Sequence, residues 1–174
     1  MSGTNERRST VGPSPQTWGA NIKINQLTSL KLKTPEKARI LIVSDDDLFA
    51  ERLNIALWEA GFISDRARSI TAGCESARSG QFQVVISAPL LTDGSWRRLV
   101  DVANYYNLGF VVLLVATPFD FNQSAEAQEN GAFDVLDALH DLPKVAEVTR
   151  RALWAAYLKG AGPSPDVASP PKAA

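Results

Sequence analysis

Cysteine and histidine are almost missing: Cys74 and His140 are the only ones in 174 residues. One cysteine closes no intramolecular disulfide, and with one histidine it cannot assemble a four-ligand zinc site. Excess charge of either sign is missing too, since 18 basic and 19 acidic side chains leave a formal charge of −1. That leaves no basic footprint for nucleic acid or for an anionic membrane surface. The longest apolar run, Phe110–Ala116, falls far short of the ~20 residues a spanning helix needs. Met1–Gln16 is polar and has no signal-peptide core. Phosphate loops of the GxGxxG or GxxxxGKS/T spacing are absent as well. Together these absences exclude zinc chemistry, disulfide scaffolds, nucleic-acid binding and membrane spans, and they predict a reducing, cytoplasmic setting.

What the chain does have is apolar content of 45%, enough for a core, arranged in alternating short runs and amphipathic stretches. Residues 1–35 read as a flexible tail broken by Gly12-Pro13-Ser14-Pro15, and 161–174 as a disordered Pro/Ala-rich tail. Between them, 36–160 reads as one domain. Ala38–Val43 is an unbroken aliphatic run, as expected of a strand buried on both faces of a parallel sheet. A helix follows, with Phe49, Leu53, Ala56, Leu57 and Ala60 on one face, and Gly61 ends it. Phe62–Ala67 is more polar and reads as an edge strand. Ser69–Ser79 reads as a short helix with Cys74 inward, and Phe82–Ser87 as the third strand. A third helix carries Trp96, Leu99, Val100, Ala103 and Tyr106 inward. Phe110–Ala116 reads as a central strand, Ser124–Asn130 as a short helix and Phe133–Leu136 as the fifth strand. The last helix runs from Asp141 to about Lys159, with Val145, Val148, Ala152 and Ala155 buried. Five strand–helix alternations predict an α/β fold: a doubly wound, five-stranded parallel sheet covered on both faces.

In such sheets ligands bind outside the carboxyl ends of the strands. Asp45, Asp46 and Asp47 follow the first strand; that cluster could hold a hard cation such as Mg²⁺ or cap the next helix. The third strand ends in Ser87-Ala88, without a carboxylate, and Asp93-Gly94-Ser95 then reads as the opening of the third helix, with Asp93 as its cap.

Three segments, ILIVSDDDLFAERL (40–53), VVISAPLLTDGSW (84–96) and GAFDVLDALHD (131–141), occur in an order and at separations that resemble the receiver domain of two-component response regulators. The resemblance covers residues 38–159. It implies a flavodoxin-like sheet with strand order 2-1-3-4-5 and a non-enzymatic role in phosphorelay signalling. It also shows which functional positions have changed. The family's acidic pair matches Ser44 and Asp45, with Asp46 beside them in the remnant acidic pocket. The phosphoacceptor aspartate matches Ala88, or Ser87 if shifted by one. The hydroxyl position that ends the fourth strand matches Ala116, with Thr117 one place on, and the lysine after the fifth strand matches Ala138. A lone Asp45 is a poor Mg²⁺ ligand, so no cofactor is expected. The implied role is a phosphorylation-independent pseudo-receiver that acts by protein contact through its fourth helix, fifth strand and fifth helix, with Trp154 and Tyr157 as candidate interface residues. A histidine kinase, another signalling protein or a second copy of the chain are the candidate partners. Two other readings stand beside this one: phosphate acceptance on a displaced acid (Asp45, Asp46 or Asp93), and a flavodoxin-like binder of a small molecule.

Overall fold

A computed structural model describes residues 38–117 and 121–160. The segments 1–35 and 161–174, read above as tails, lie outside the described residues. The elements alternate as β1 (Arg39–Val43), α1 (Asp47–Glu59), β2 (Ile63–Ala67), α2 (Ile70–Ala77), β3 (Val84–Ser87), α3 (Arg97–Tyr105), β4 (Val111–Ala116), α4 (Phe121–Glu129), β5 (Ala132–Asp137) and α5 (Val145–Leu158). All strand pairs in the main sheet are parallel, in the order β2-β1-β3-β4-β5. This is the flavodoxin-like order expected from the sequence.

The interior strands account for this layering. Along β1, Ile40 and Ile42 pack into one apolar cluster with Leu53 and Leu57 of α1 and Ala152 and Leu153 of α5. Leu41 and Val43, one residue out of phase, pack into a second cluster with Ile70 of α2, Leu99 of α3 and Ala127 of α4. Because side chains alternate across a strand, an unbroken aliphatic run buries itself only when helices cover both faces. β2 and β5 are the edges. On β2, Ile63 is exposed and Asp65 pairs with Arg39, which suits a strand with one open side.

The helix ends follow from local chemistry. Asp46 accepts the Phe49 N–H at 3.0 Å and starts α1. Gly61, with φ +88°, turns the chain out of that helix where a side chain would be strained. The short α2 is capped twice: Ser69 Oγ accepts the Ala72 N–H at 3.0 Å, and the Asp93 carboxylate accepts the N–H groups of Ile70 and Thr71, each at 2.8 Å.

The last contact corrects the sequence reading. Asp93 caps the preceding helix, across 23 residues, and not the one that follows. The unpaired N–H groups and the positive dipole end of α2 attract it there. Gly94–Ser95 pairs with Leu90–Leu91 in a two-residue antiparallel ribbon, and α3 begins only at Arg97, whose N–H is received by Ser95 Oγ at 3.3 Å. α4 begins at Phe121, earlier than the expected Ser124. A 3-10 turn, Leu142–Lys144, leads into α5, whose buried stripe includes Leu153 and Ala156 beside the expected Val145, Val148 and Ala152.

The bonds from Thr71 and then Ile70 hold the Asp93 carboxyl at about 2, below its ordinary value of 3.8. A depressed folded value means the charged cap contributes fully above 3.8 and fades as pH falls through about 2. Asp93→Asn is therefore expected to unfold at lower urea concentration near neutral pH, with the gap to the parent closing over that acid window. Parallel curves at every pH would contradict the cap.

Candidate functional site

The ends of the four strands β1, β3, β4 and β5 come side by side at the carboxyl edge. Val43 pairs with Ser87, and the next residue, Ala88, donates its N–H to the Val43 carbonyl at 3.1 Å. Ala138 donates to the Ala116 carbonyl at 3.0 Å, one residue past the last β4–β5 pair. Ser44, Ala88, Ala116 and Ala138 thus stand on successive strand tips. These four, among the positions singled out from sequence, carry no carboxylate, amine or guanidinium; Asp45 and Asp46, which follow Ser44, are the acids at this edge.

A cleft of about 330 Å³ opens at this edge, above β1, β3 and β5. Ser44, Asp45, Asp46, Ala88 and Ala138 line it together with Thr117. Ala116 faces the other side of the sheet, into a smaller space of about 230 Å³ shared with Trp96 and Glu126. Of the two residues at the end of β4, it is therefore Thr117 that lines the cleft.

Each acid nearby has at least one oxygen engaged. Asp46 caps α1 through the Phe49 N–H. Asp47 is paired with Arg66 at 2.6 Å and Arg68 at 3.3 Å. Asp45 Oδ2 accepts the Thr92 N–H at 3.4 Å, linking the β1 tip to the loop after β3. Ser44 is buried; its Oγ accepts the Asp46 N–H at 3.1 Å, and its carbonyl accepts from Arg66 at 3.1 Å. The Ser87 hydroxyl, also buried, donates to the Ala88 carbonyl at 2.7 Å. Where the resemblance places an acidic pair the chain has Ser44 and Asp45, and the neighbouring Asp46 caps α1, a donor set that does not suit an octahedral, oxygen-rich cation. No group of three or more His, Cys, Asp or Glu side chains among the described residues is placed to hold a metal.

No family model matches the chain, and no curated protein matches it. Solved structures do. It is similar to the signal receiver domain assigned to a LuxO repressor protein from Vibrio parahaemolyticus, with TM-score 0.65 and 16% identity over 71% of this chain and 95% of that one. It is similar to a CheY-like response regulator receiver domain protein from Methanospirillum hungatei, with TM-score 0.62 and 20% identity over 71% and 98%. A third, the chemotaxis protein CheY4 from Vibrio cholerae, gives TM-score 0.59 and 20% identity over 66% and 98%. The chain has the receiver fold.

Within this receiver fold the expected interface residues take definite places. The Trp154 and Tyr157 rings meet at a tilt of 45° with centroids 5.8 Å apart, and Trp154 is 36% exposed. At 100° per residue they share a flank of α5 with Arg150, whose guanidinium lies over the Phe62 ring beside α1. Arg151, on the other flank, reaches Asp134 of β5 at 3.6 Å. The aromatic pair therefore sits toward α1, and a charged pair occupies the β5 side. Burial pushes the Tyr157 hydroxyl up. No helix among the described residues is long and apolar enough to cross a membrane.

Sequence reading missed two features here. One is the turn after β5, where Asp137 accepts the Leu139 N–H at 2.8 Å and lies 2.7 Å from His140 Nδ1, while Asp141 holds Lys144 at 2.9 Å. The DALHD spacing was its only signal. The other is the leucine rim of the cleft, since Leu48, Leu90 and Leu139 all line it; these residues are far apart in sequence and meet only through the fold.

The hydrogen bond to Asp137 raises the His140 pKa above its ordinary value of 6.5, and the same contact lowers that of Asp137. Because the folded value is raised, the charged pair holds at low pH and is lost as pH rises through that folded value. Asp137→Asn should bring the His140 imidazole titration, followed by NMR, back toward 6.5. An unchanged titration would remove the pair from the account.

Proposed function

We propose that this chain is a signalling module of the response-regulator type that works without phosphorylation, through contact with a protein partner. The observation that carries the proposal is the state of the strand tips, with Ala88 at the end of β3 and Ala138 at the end of β5. Phosphoryl transfer to a receiver needs a positioned carboxylate nucleophile and cations that neutralise the developing charge. Alanine supplies neither. A bound Mg²⁺ ion has no role in this reading, since Asp45 is the one acid retained from the family's pair.

A displaced acceptor is less well supported. Both oxygens of Asp93 are engaged at the start of α2, Asp46 caps α1, and Asp45 reaches across to the Thr92 N–H. Using any of them as a nucleophile would uncap a helix or release the loop after β3.

Signalling then falls to the surface. The α4–β5–α5 face is the candidate contact surface. Trp154 and Tyr157 at its border are the kind of aromatic anchors that dominate protein interfaces. A histidine kinase, another signalling protein or a second copy of this chain are the partners of matching type.

Beryllofluoride with Mg²⁺ mimics a phosphoryl group on a competent acidic side chain. In a ¹⁵N-HSQC titration, the amides of Asp45, Ala88 and Ala116 are expected to stay in place. Saturable shifts that run from these residues to α5 would overturn the proposal, and the pattern would point to the acid that had taken over.

A further inference from the structure

We propose that the cleft at the carboxyl edge is a binding site for a small amphipathic molecule, an apolar body carrying a single amine. This rests on the preceding reading, because a cleft used for phosphoryl transfer would not be free for such a ligand.

The rim supplies the first observation. Leu48, Leu90 and Leu139 are 60%, 74% and 71% exposed, and all three line the cleft. They come from three separate segments: the first turn of α1, the ribbon after β3 and the turn after β5. Single exposed leucines are ordinary on a protein surface. Three of them brought together around one concavity are not, and such clusters mark binding sites. Below them Ala88, Val115 and Ala138, with Phe49 and Leu142, continue the apolar lining.

Size and polarity supply the second. The cleft's volume, about 330 Å³, lies at the lower end of the ~300–1,000 Å³ usual for small-molecule sites, and its lining divides between the apolar rim and a polar end at Asp45, Asp46 and Arg52. A flat protein-docking face has no need of such a recess.

The polar end decides the head group. Asp45 uses Oδ2 on the Thr92 N–H, and Asp46 uses Oδ1 on the Phe49 N–H. The second oxygen of each takes no donor from the described residues. Arg52 also lines the cleft, but two carboxylates against one guanidinium leave the local charge negative. An ammonium group complements that charge, whereas a carboxylate or phosphate would be repelled. The bound ligand would lay its chain against the leucine rim and direct its amine to the free oxygen of Asp45.

The test is a ¹⁵N-HSQC titration of the full chain with n-octylamine, n-octanol and octanoate, each kept below its micelle concentration. Saturable shifts are expected at the amides around Leu48, Leu90 and Leu139, with octylamine binding tightest and octanoate weakest. Leu90→Ser with Leu139→Ser should weaken octylamine by about tenfold or more. Both leucines are exposed, so the fold should survive, which an unchanged thermal midpoint would verify. Asp45→Asn should make octylamine and octanol bind equally. The proposal is overturned if no probe gives saturable shifts, if octanoate binds tightest, or if the shifts map to the larger cleft of about 550 Å³ near Asn104 and Asn130 at the opposite edge. Beryllofluoride separates the two failures: an adduct sinks the preceding reading as well, while no adduct and no octylamine binding sinks this one alone.

Discussion

Two-sided burial of the three interior strands is the constraint on which the rest of the structure depends. Ile40 and Ile42 of β1 face one helical layer while Leu41 and Val43 face the other, and β3 and β4 repeat that division with Ile86 against Val85 and Leu113 against Val112. With both faces apolar, every connection must carry a helix back across the sheet, and every loop at the carboxyl edge is brought to the same side. The cleft is a product of that convergence. No loop here has to find the site for itself, because the register of β1, β3, β4 and β5 places Ser44, Ala88, Ala116 and Ala138 in a row.

What stands in that row is chemically consistent. At the end of a buried strand a charge is costly unless it is paired, and removing one member of a charged set leaves the others uncompensated. In this chain the positions that the resemblance assigns to the acceptor acid and to the lysine are both alanine. The acids that remain nearby are engaged in capping and pairing, with Asp46 at α1, Asp47 with Arg66 and Arg68, and Asp93 at α2, while Asp45 has one bond, from the Thr92 N–H. Leucines then occupy the rim. The edge thus joins an apolar rim to a polar end at Asp45, Asp46 and Arg52.

Much of this was legible in the sequence because it depends on local pattern. Ile40–Val43, Val84–Ile86 and Phe110–Ala116 announce buried strands by composition alone, and Gly61 marks a helix end at the place where φ turns positive. The strand order came from the resemblance to receiver domains, since alternation of elements predicts a parallel sheet and leaves its order open. What escaped was tertiary. Asp93 finds its partners 23 and 22 residues back, whereas capping rules applied along the chain look only to the next helix. The part of Leu90 and Leu139 in the rim did not show along the chain, because it lies in convergence with Leu48. The flank of α5 taken by Trp154 and Tyr157 was hidden for the same reason: periodicity groups them with Arg150, but only the contact with Phe62 shows which way that flank faces.

The central claim is that phosphoryl chemistry has been lost at the tips of an intact fold, and the most direct measurement is intact mass after incubation with acetyl phosphate and Mg²⁺. The parent chain should be compared with Ser44→Asp/Ala88→Asp/Ala138→Lys. The account predicts no phosphoryl mass on the parent and a phosphoryl adduct on the triple variant, because the scaffold still aligns those positions. Labelling of the parent chain would contradict it.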